Sequence, residues 1–363
     1  MYKNETLIPK LIAIATGVLL SGGIAHAQSS VTLYGIVDSG LIYIKSPGEK
    51  GTIQANDSGL SPSLFGLTGK EDLGGGLKTI YRLEGGFSAT NGGFADSNGN
   101  FFGRNAYVGL EGNFGTALAG LQYSPFFLTM YETDPRGAVQ FGSAVMPYID
   151  NIYGTGFANS NALSYTTPKL WGLQGSVMVA LGGTAGDFQA GRQYSASLKY
   201  DNGTLMLMAA YYDGNNGGNV ETSLPTTVEF LGRMIGASYK IGPVTVKASA
   251  TNYKVAASAG NLALGLDPHN NYVYAAGLDY QALPQLDLST GVYYTRDKND
   301  SNNHSITAAL GASYFLSHRT TLYAQFGFIN NHGTEDGGLT VINNYSNQAG
   351  NTYATSVGIR HTF

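Results

Sequence analysis

Cysteine is absent from all 363 residues, which excludes a disulfide framework and any thiolate-ligated metal site. Charge is scarce at 12% of residues, and the formal net charge is −4, so the basic footprint of a nucleic-acid-binding protein is missing. No stretch has the roughly eighteen consecutive apolar residues of a membrane-crossing helix. Catalytic signatures are lacking too. Beyond the N-terminal segment the histidines, His269, His304, His318, His332 and His361, are scattered, with no H-x-x-x-H pair. Neither a G-x-S-x-G elbow nor a phosphate loop occurs. Asp72–Gly76 is glycine-rich, but it reads as a hairpin turn. Neither an enzyme nor a cofactor is expected.

Glycine and tyrosine are abundant, at 51 and 25 residues. At the N-terminus Lys3 and Lys10 flank or precede the apolar run Leu11–Leu20, and Ala25-His26-Ala27 forms an A-x-A cleavage site. Residues 1–27 therefore read as a cleaved export signal, and 28–363 as the mature chain.

The mature chain alternates apolar and polar residues with a period of two, the β-strand signal. In Leu286–Thr295, Leu286, Leu288, Thr290, Val292 and Tyr294 share one face, and Asp287, Ser289, Gly291, Tyr293 and Thr295 the other. Val244–Thr251, Arg319–Phe328 and Leu77–Phe87 repeat the pattern, whereas Gly203–Tyr212 is apolar on both faces. Seven short turns fall at 71–76, 113–115, 169–172, 201–203, 241–243, 282–285 and 316–317. They alternate with eight long connections, at 46–61, 88–100, 124–160, 182–191, 213–229, 254–270, 296–303 and 330–350. Fifteen connections imply sixteen antiparallel strands with both chain ends on the short-turn side, the pattern of an all-β outer-membrane barrel. In hydrocarbon every backbone polar group needs an internal partner, and a closed barrel has no free edge. Aromatic residues at strand ends (Tyr43, Tyr123, Tyr200, Tyr239, Tyr280, Tyr314 and Phe363) fit interfacial girdles. A soluble sandwich or propeller would alternate as well, but without the export signal and the regular short–long order.

Alternation stops within Ser124–Ser160, where Glu132, Asp134, Arg136 and Asp150 mix with Phe126, Phe127, Tyr131, Phe141 and Tyr148. A long aromatic loop in a compact β protein is either packed on the surface or functional. The preferred reading folds it into the barrel, narrowing the bore.

Four stretches carry a resemblance to a known family. QSSVTLYGIVDSGLIY resembles the first strand of Gram-negative general porins of the β-proteobacterial type. SLFGLTGKEDLGGGLKTIYRLEGGF and FFGRNAYVGLEGNFGTALAGLQYSP resemble the next four strands, and TYATSVGIRHTF resembles the last, with its terminal phenylalanine. The resemblance implies a sixteen-stranded barrel in the outer membrane, assembled as a homotrimer. It also implies that the third long loop forms a constriction whose acids face wall arginines. Arg104 matches a family wall arginine. Leu64 and Leu121 stand where the family commonly has arginine, and Val139-Gln140-Phe141-Gly142 replaces an acidic P-E-F-G element.

The candidate lumen residues are Arg104, Arg82, Lys78 and Glu84 on the wall and Glu132, Asp134 and Asp150 on the loop. Arginine facing lipid at the bilayer midplane costs roughly 2–4 kcal/mol, which favours a lumen-facing Arg104 over one near an interface. Lys199, Lys247 and Arg360 also fall on polar strand faces. Their plain alternative is a structural salt bridge; that of the loop acids is a solvated loop tip. The expected function is passive diffusion of small hydrophilic solutes and ions across the outer membrane of a Gram-negative bacterium. Two lost arginines against one lost glutamate lean the pore toward cations. The competing readings are a surface adhesin or receptor barrel and a barrel hydrolase.

Overall fold

A computed structural model describes residues 30–151, 158–217, 229–263, 268–341 and 349–363, so the export segment 1–27 lies outside the described residues. Seventeen strand segments form one sheet. They are β1 (Ser30–Lys45), β2 (Thr52–Asp57), β3 (Leu64–Gly74), β4 (Leu77–Gly86), β5 (Asn105–Gly112), β6 (Gly115–Tyr123), β7 (Ala158–Thr166), β8 (Leu173–Ala180) and β9 (Gln193–Asp201). There follow β10 (Leu205–Gly214), β11 (Phe230–Ile241), β12 (Val244–Val255), β13 (His269–Leu283), β14 (Leu286–Asp297), β15 (His304–Phe315), β16 (Thr320–His332) and β17 (Gly350–Thr362). Every pairing is antiparallel, and β17 returns to β1, with Ile36 opposite Thr362 and Lys45 opposite Tyr353.

Seventeen segments occupy sixteen positions. β2 and β3 share one edge of β1: residues 39–44 face 52–57, and residues 30–36 face 64–70. They are two pieces of one barrel strand, interrupted at 58–63. The sequence reading of 46–61 as one long loop is thereby corrected: a tight turn at 46–51 precedes a paired segment. What breaks the strand is Asp38. It is wholly buried on β1, and its carboxylate accepts the backbone N–H groups of Gly59, Leu60 and Ser61 at 3.1, 2.9 and 2.9 Å. These donors leave the ladder and are satisfied by a side chain instead.

Burial runs opposite to that of a soluble domain. The exposed face carries Val31, Leu33, Leu41, Val108, Ile235, Val292 and Leu310, the apolar band that hydrocarbon requires. The turn between β3 and β4 uses Gly74, Gly75 and Gly76 at φ +86°, +62° and +81°, a left-handed run that side chains disfavour. Phe363 closes the seam. Its backbone exchanges hydrogen bonds with Gly35 at 3.0 and 3.1 Å, and its ring lies where a Cβ on residue 35 would sit.

The connection after β6 contains helix α1 (Pro125–Thr133) and helix α2 (Val145–Asn151); a short α3 (Ala259–Ala263) lies in a later loop. Ser124 caps α1 by accepting the Phe127 N–H at 3.0 Å, and Pro125 opens the first turn, where its missing donor costs nothing. Asp134 ends the helix in an extended conformation, as a residue before proline must. α1 buries Phe126 among Tyr148, Tyr212 and Tyr253, with ring centroids 6.1–6.5 Å away. Tyr212 and Tyr253 belong to the non-lipid face of β10 and β12. This explains the doubly apolar strand at 203–212: Ala210 and Tyr212 lie under the loop's aromatic plug and Met208 is buried on the same face, while Leu207 and Ala209 face outward.

Candidate functional site

Opposite the plug, a cavity of about 460 Å³ runs between the β1–β6 wall and the loop, also reaching Arg360 on β17. The wall is organised by Glu84 on β4, 2% exposed. Arg82 Nη2 reaches its Oε2 at 2.7 Å, and Arg104 Nε its Oε1 at 3.0 Å. Tyr34 donates to Oε2 at 2.6 Å while accepting from Arg82 Nε at 2.7 Å, and Asn105 adds a bond to Oε1 at 3.3 Å. The period of two brings these groups together, because Arg82 and Glu84 point the same way and Asn105 lies directly opposite Glu84. Two guanidiniums share the buried Glu84 carboxylate, and Asp96 and Asp287 also line the cavity. Arg104 is 12% exposed and stacks 5.9 Å from the Tyr123 ring; Arg82 is 40% exposed. Tyr123 thus lines the cavity and does not join a girdle.

Asp96, in the loop after β4, lies 3.9 Å from Arg104 Nη1. Burial pushes its carboxyl pKa up; Arg104 pulls it down and Asp57 adds a smaller rise. Across the cavity Arg360 Nη1 donates to Ser61 Oγ at 3.1 Å, on the interrupted segment 58–63. Leu60, Ser61 and Pro62 line the cavity, and the Leu60 carbonyl accepts the Gln140 N–H of the loop at 3.3 Å.

The loop's own charges are used elsewhere. Asp134 is wholly buried. It accepts the N–H groups of Arg136, Ala138 and Ala144 and the Tyr293 hydroxyl, at 2.6–3.1 Å. Glu132 pairs with Lys199 on β9, and Lys247 Nζ reaches the Asp134 carbonyl at 3.0 Å. Asp150 accepts the Gly338 N–H at 3.2 Å. Arg136 spans to β16, donating to Gln325 Oε1 at 2.7 Å; burial lowers its pKa, with Tyr293 and Asp134 opposing. Lys78 sits near the short-turn end, opposite Asp72 and Glu111. Of the seven sequence candidates, Arg82, Glu84 and Arg104 line the cavity together. Lys78, Glu132, Asp134 and Asp150 do not line it. Facing the arginines, the loop presents Leu128, Tyr131 and Val139, and among the described residues none of its carboxylates.

The two leucines at the family's arginine positions also differ. Leu64 faces inward and lines the cavity, whereas Leu121 pairs with Ala106 on the lipid side. Gln122, the next residue, alternates back to the interior, and a register shift against β7 lies beside Gly120, at φ +128°. Asp38 and the segment it holds went unnoticed in the sequence; the one signal was an aspartate amid β-branched and aromatic residues on an inward position.

Residues 11–334 match the family described as Gram-negative porin. Outer membrane porin protein 32 of Delftia acidovorans is 31% identical over 96% of this chain and 99% of its own. Major outer membrane protein P.IB of Neisseria gonorrhoeae is 28% identical, over 84% of this chain and 89% of its own. Among solved structures, an anion-selective porin from Comamonas acidovorans superposes with a TM-score of 0.77 at 25% identity. That match covers 93% of this chain and 100% of the other.

Proposed function

The chain belongs to the Gram-negative porin family and is an outer-membrane channel; from that premise we propose passive diffusion of small hydrophilic solutes and ions with a weak preference for anions. The loop 124–160 serves as the constriction, and residues 1–27 are removed on export. The observation that carries the selectivity is the difference in exposure within one cluster: the Arg82 side chain is 40% exposed and that of Glu84 3%. Arg360 adds positive charge across the cavity, against the Asp287 carboxylate that also lines it. A permeating ion meets guanidinium first, and charge lining a narrow aqueous path sets ion preference.

This reverses the lean toward cations read from the sequence. That lean counted Leu121 as a lost lumen charge and set Glu132 and Asp134 against the wall. Leu121 faces lipid, and both carboxylates are engaged by other groups. The anion selectivity of the Comamonas acidovorans porin agrees with the new direction.

Assembly as a homotrimer is part of the same proposal. It rests on family membership. Reversal potentials of the purified protein in planar bilayers under a KCl gradient test the selectivity: an anion-favouring potential is expected, and a cation-favouring one overturns the reading. Absence of any solute flux would instead favour the adhesin or receptor alternative.

A further inference from the structure

Leu128 and Tyr131 line the cavity inside the barrel, away from lipid, and are 44% and 51% exposed. Three residues apart on α1, they share one face of the helix, while Phe126 and Met130 on the other face are buried in the plug. Neither exposed side chain contributes to that plug. Leu60 and Pro62 from segment 58–63, Leu64 from β3 and Phe315 from β15 extend the apolar lining. Water held against such a lining is released when an apolar body takes its place. A path built only for hydrated ions has no use for it.

The other side of the cavity holds guanidinium edges. Arg82 spends Nε on Tyr34 and Nη2 on Glu84, and its Nη1 makes no hydrogen bond among the described residues. Arg360 donates Nη1 to Ser61 Oγ, and its buried Nε has no acceptor among the described residues. Three acids share the lining. Glu84 is held by Arg82 and Arg104, and Asp96 lies 3.9 Å from Arg104. Asp287, hydrogen-bonded to Asp279 of β13, stands near the short-turn end, where its charge repels a solute that carries a second anionic group. The solute complementary to this cavity has one anionic group and an apolar body.

Resting on the anion-favouring channel of the preceding reading, we propose that the preferred solutes are aromatic monocarboxylates, the carboxylate received by Arg82 and Arg360 in turn and the ring by Leu128 and Tyr131. At about 460 Å³ the cavity falls within the range of sites that take small organic ligands. A carboxylate pairs with a guanidinium through parallel hydrogen bonds, and a ring against Tyr131 adds edge or offset contact. Chloride makes the first contact only and a neutral ring the second only, so the combination is what the cavity distinguishes.

The test uses the purified full-length protein in planar bilayers at neutral pH. Bi-ionic reversal potentials compare benzoate with quinate, a ring carboxylate of the same carbon count that carries hydroxyls, both against chloride. Benzoate should be about fivefold more permeant than quinate, and added benzoate, unlike benzamide, should reduce the chloride current. L128Q/Y131Q, altered only at exposed side chains of α1, should still favour chloride over potassium and lose the benzoate advantage. Arg82→Gln should lower the permeability of both carboxylates. Benzoate no more permeant than quinate, in a channel that still favours chloride over potassium, overturns the proposal alone. A benzoate advantage undiminished in L128Q/Y131Q assigns it to solute size and also overturns the proposal. A channel that favours potassium over chloride overturns the underlying reading of selectivity, and the proposal with it.

Discussion

Tyr323 on β16 donates its hydroxyl proton to Asp38 Oδ1 at 2.7 Å, across the seam where the last strands meet the first. The same carboxylate holds the three N–H groups of the inward segment 58–63. Gln325 Nε2 donates to the Gly59 carbonyl at 2.9 Å while its Oε1 accepts from Arg136 of the constriction loop. Segment 58–63 and the loop 124–160 therefore share anchors, and on the proposed reading they narrow the bore from two sides. Asp38→Ala leaves three buried donors without an acceptor, at about 1–3 kcal/mol for each group left unsatisfied. The segment should detach, raising single-channel conductance and lowering the temperature at which the folded band is lost on electrophoresis. Tyr323→Phe removes one bond of four and should cost about 1–2 kcal/mol with conductance near wild type. Equal conductance in Asp38→Ala and wild type would show that the segment does not narrow the path.

The two arginines on Glu84 should separate selectivity from stability. Arg104 is nearly enclosed, and removing one partner of a buried pair costs roughly 3–5 kcal/mol because the remaining charge is left short of partners. Arg82 is more exposed, and exposed pairs contribute at most about 1 kcal/mol. Arg82→Gln should therefore shift the reversal potential toward cations with the melting temperature almost unchanged, whereas Arg104→Ala should move both. Reversal potential and thermal unfolding, measured on the same preparations, decide it. A stability loss in Arg82→Gln as large as that in Arg104→Ala contradicts the assignment.

Most of the barrel was legible because the membrane imposes a period of two and turn chemistry marks every hairpin. The seven short turns of the sequence reading all coincide with strand connections. Legibility failed where side chains, not the ladder, satisfy the backbone. Segment 58–63 looks like any polar loop unless Asp38 is known to lie beside it. Strand 205–214 lost its alternation because Phe126 dries its inner face, a contact 84 residues away in the chain for Ala210. Within the constriction loop, Ser124-Pro125 marked a helix start that the aromatic composition obscured. The charge pairing failed for a related reason: Asp134 reads as a free loop acid, yet it is spent on three backbone donors and Tyr293.

The chain terminus gives a third prediction. A Cβ at residue 35 would lie 2.3 Å from the Phe363 ring and 2.8 Å from the Leu64 carbonyl oxygen. Gly35→Val should therefore displace the ring and weaken closure between β17 and β1, and deletion of Phe363 should do the same by removing its two backbone bonds. Both variants should be made and exported at normal levels but yield less heat-modifiable barrel in outer-membrane fractions. Gly175→Ala, on β8 with no atom closer than 3.9 Å to the added Cβ, is the control. Full assembly of the deletion variant would show that the seam closes without the terminal ring.

The last prediction concerns pH. Glu335 lies in the segment after β16, outside the strands, and burial, then Asp336 and Asp297, raise its carboxyl from the ordinary 4.5 to about 7. The neighbouring residues staple this segment to the constriction loop. Gly338 N–H donates to Asp150 Oδ2, Gly142 N–H to the Leu339 carbonyl at 2.8 Å, and Val341 N–H to the Gln140 carbonyl at 3.1 Å. A carboxyl whose folded pKa is raised favours the docked state when protonated. Its contribution is fully present below 4.5 and is lost as pH rises through about 7. The docked segment should therefore loosen between pH 5 and 8, and the constriction loop with it, seen as more frequent current fluctuations at the alkaline end. Glu335→Gln stays neutral throughout and should hold the low-pH behaviour across the range, while Asp336→Asn should move the transition to lower pH by removing a repelling charge. Single-channel recordings at constant ionic strength settle the matter: a wild-type trace indifferent to pH over this window, or a Glu335→Gln variant that keeps the full transition, would mean that Glu335 does not control the staple.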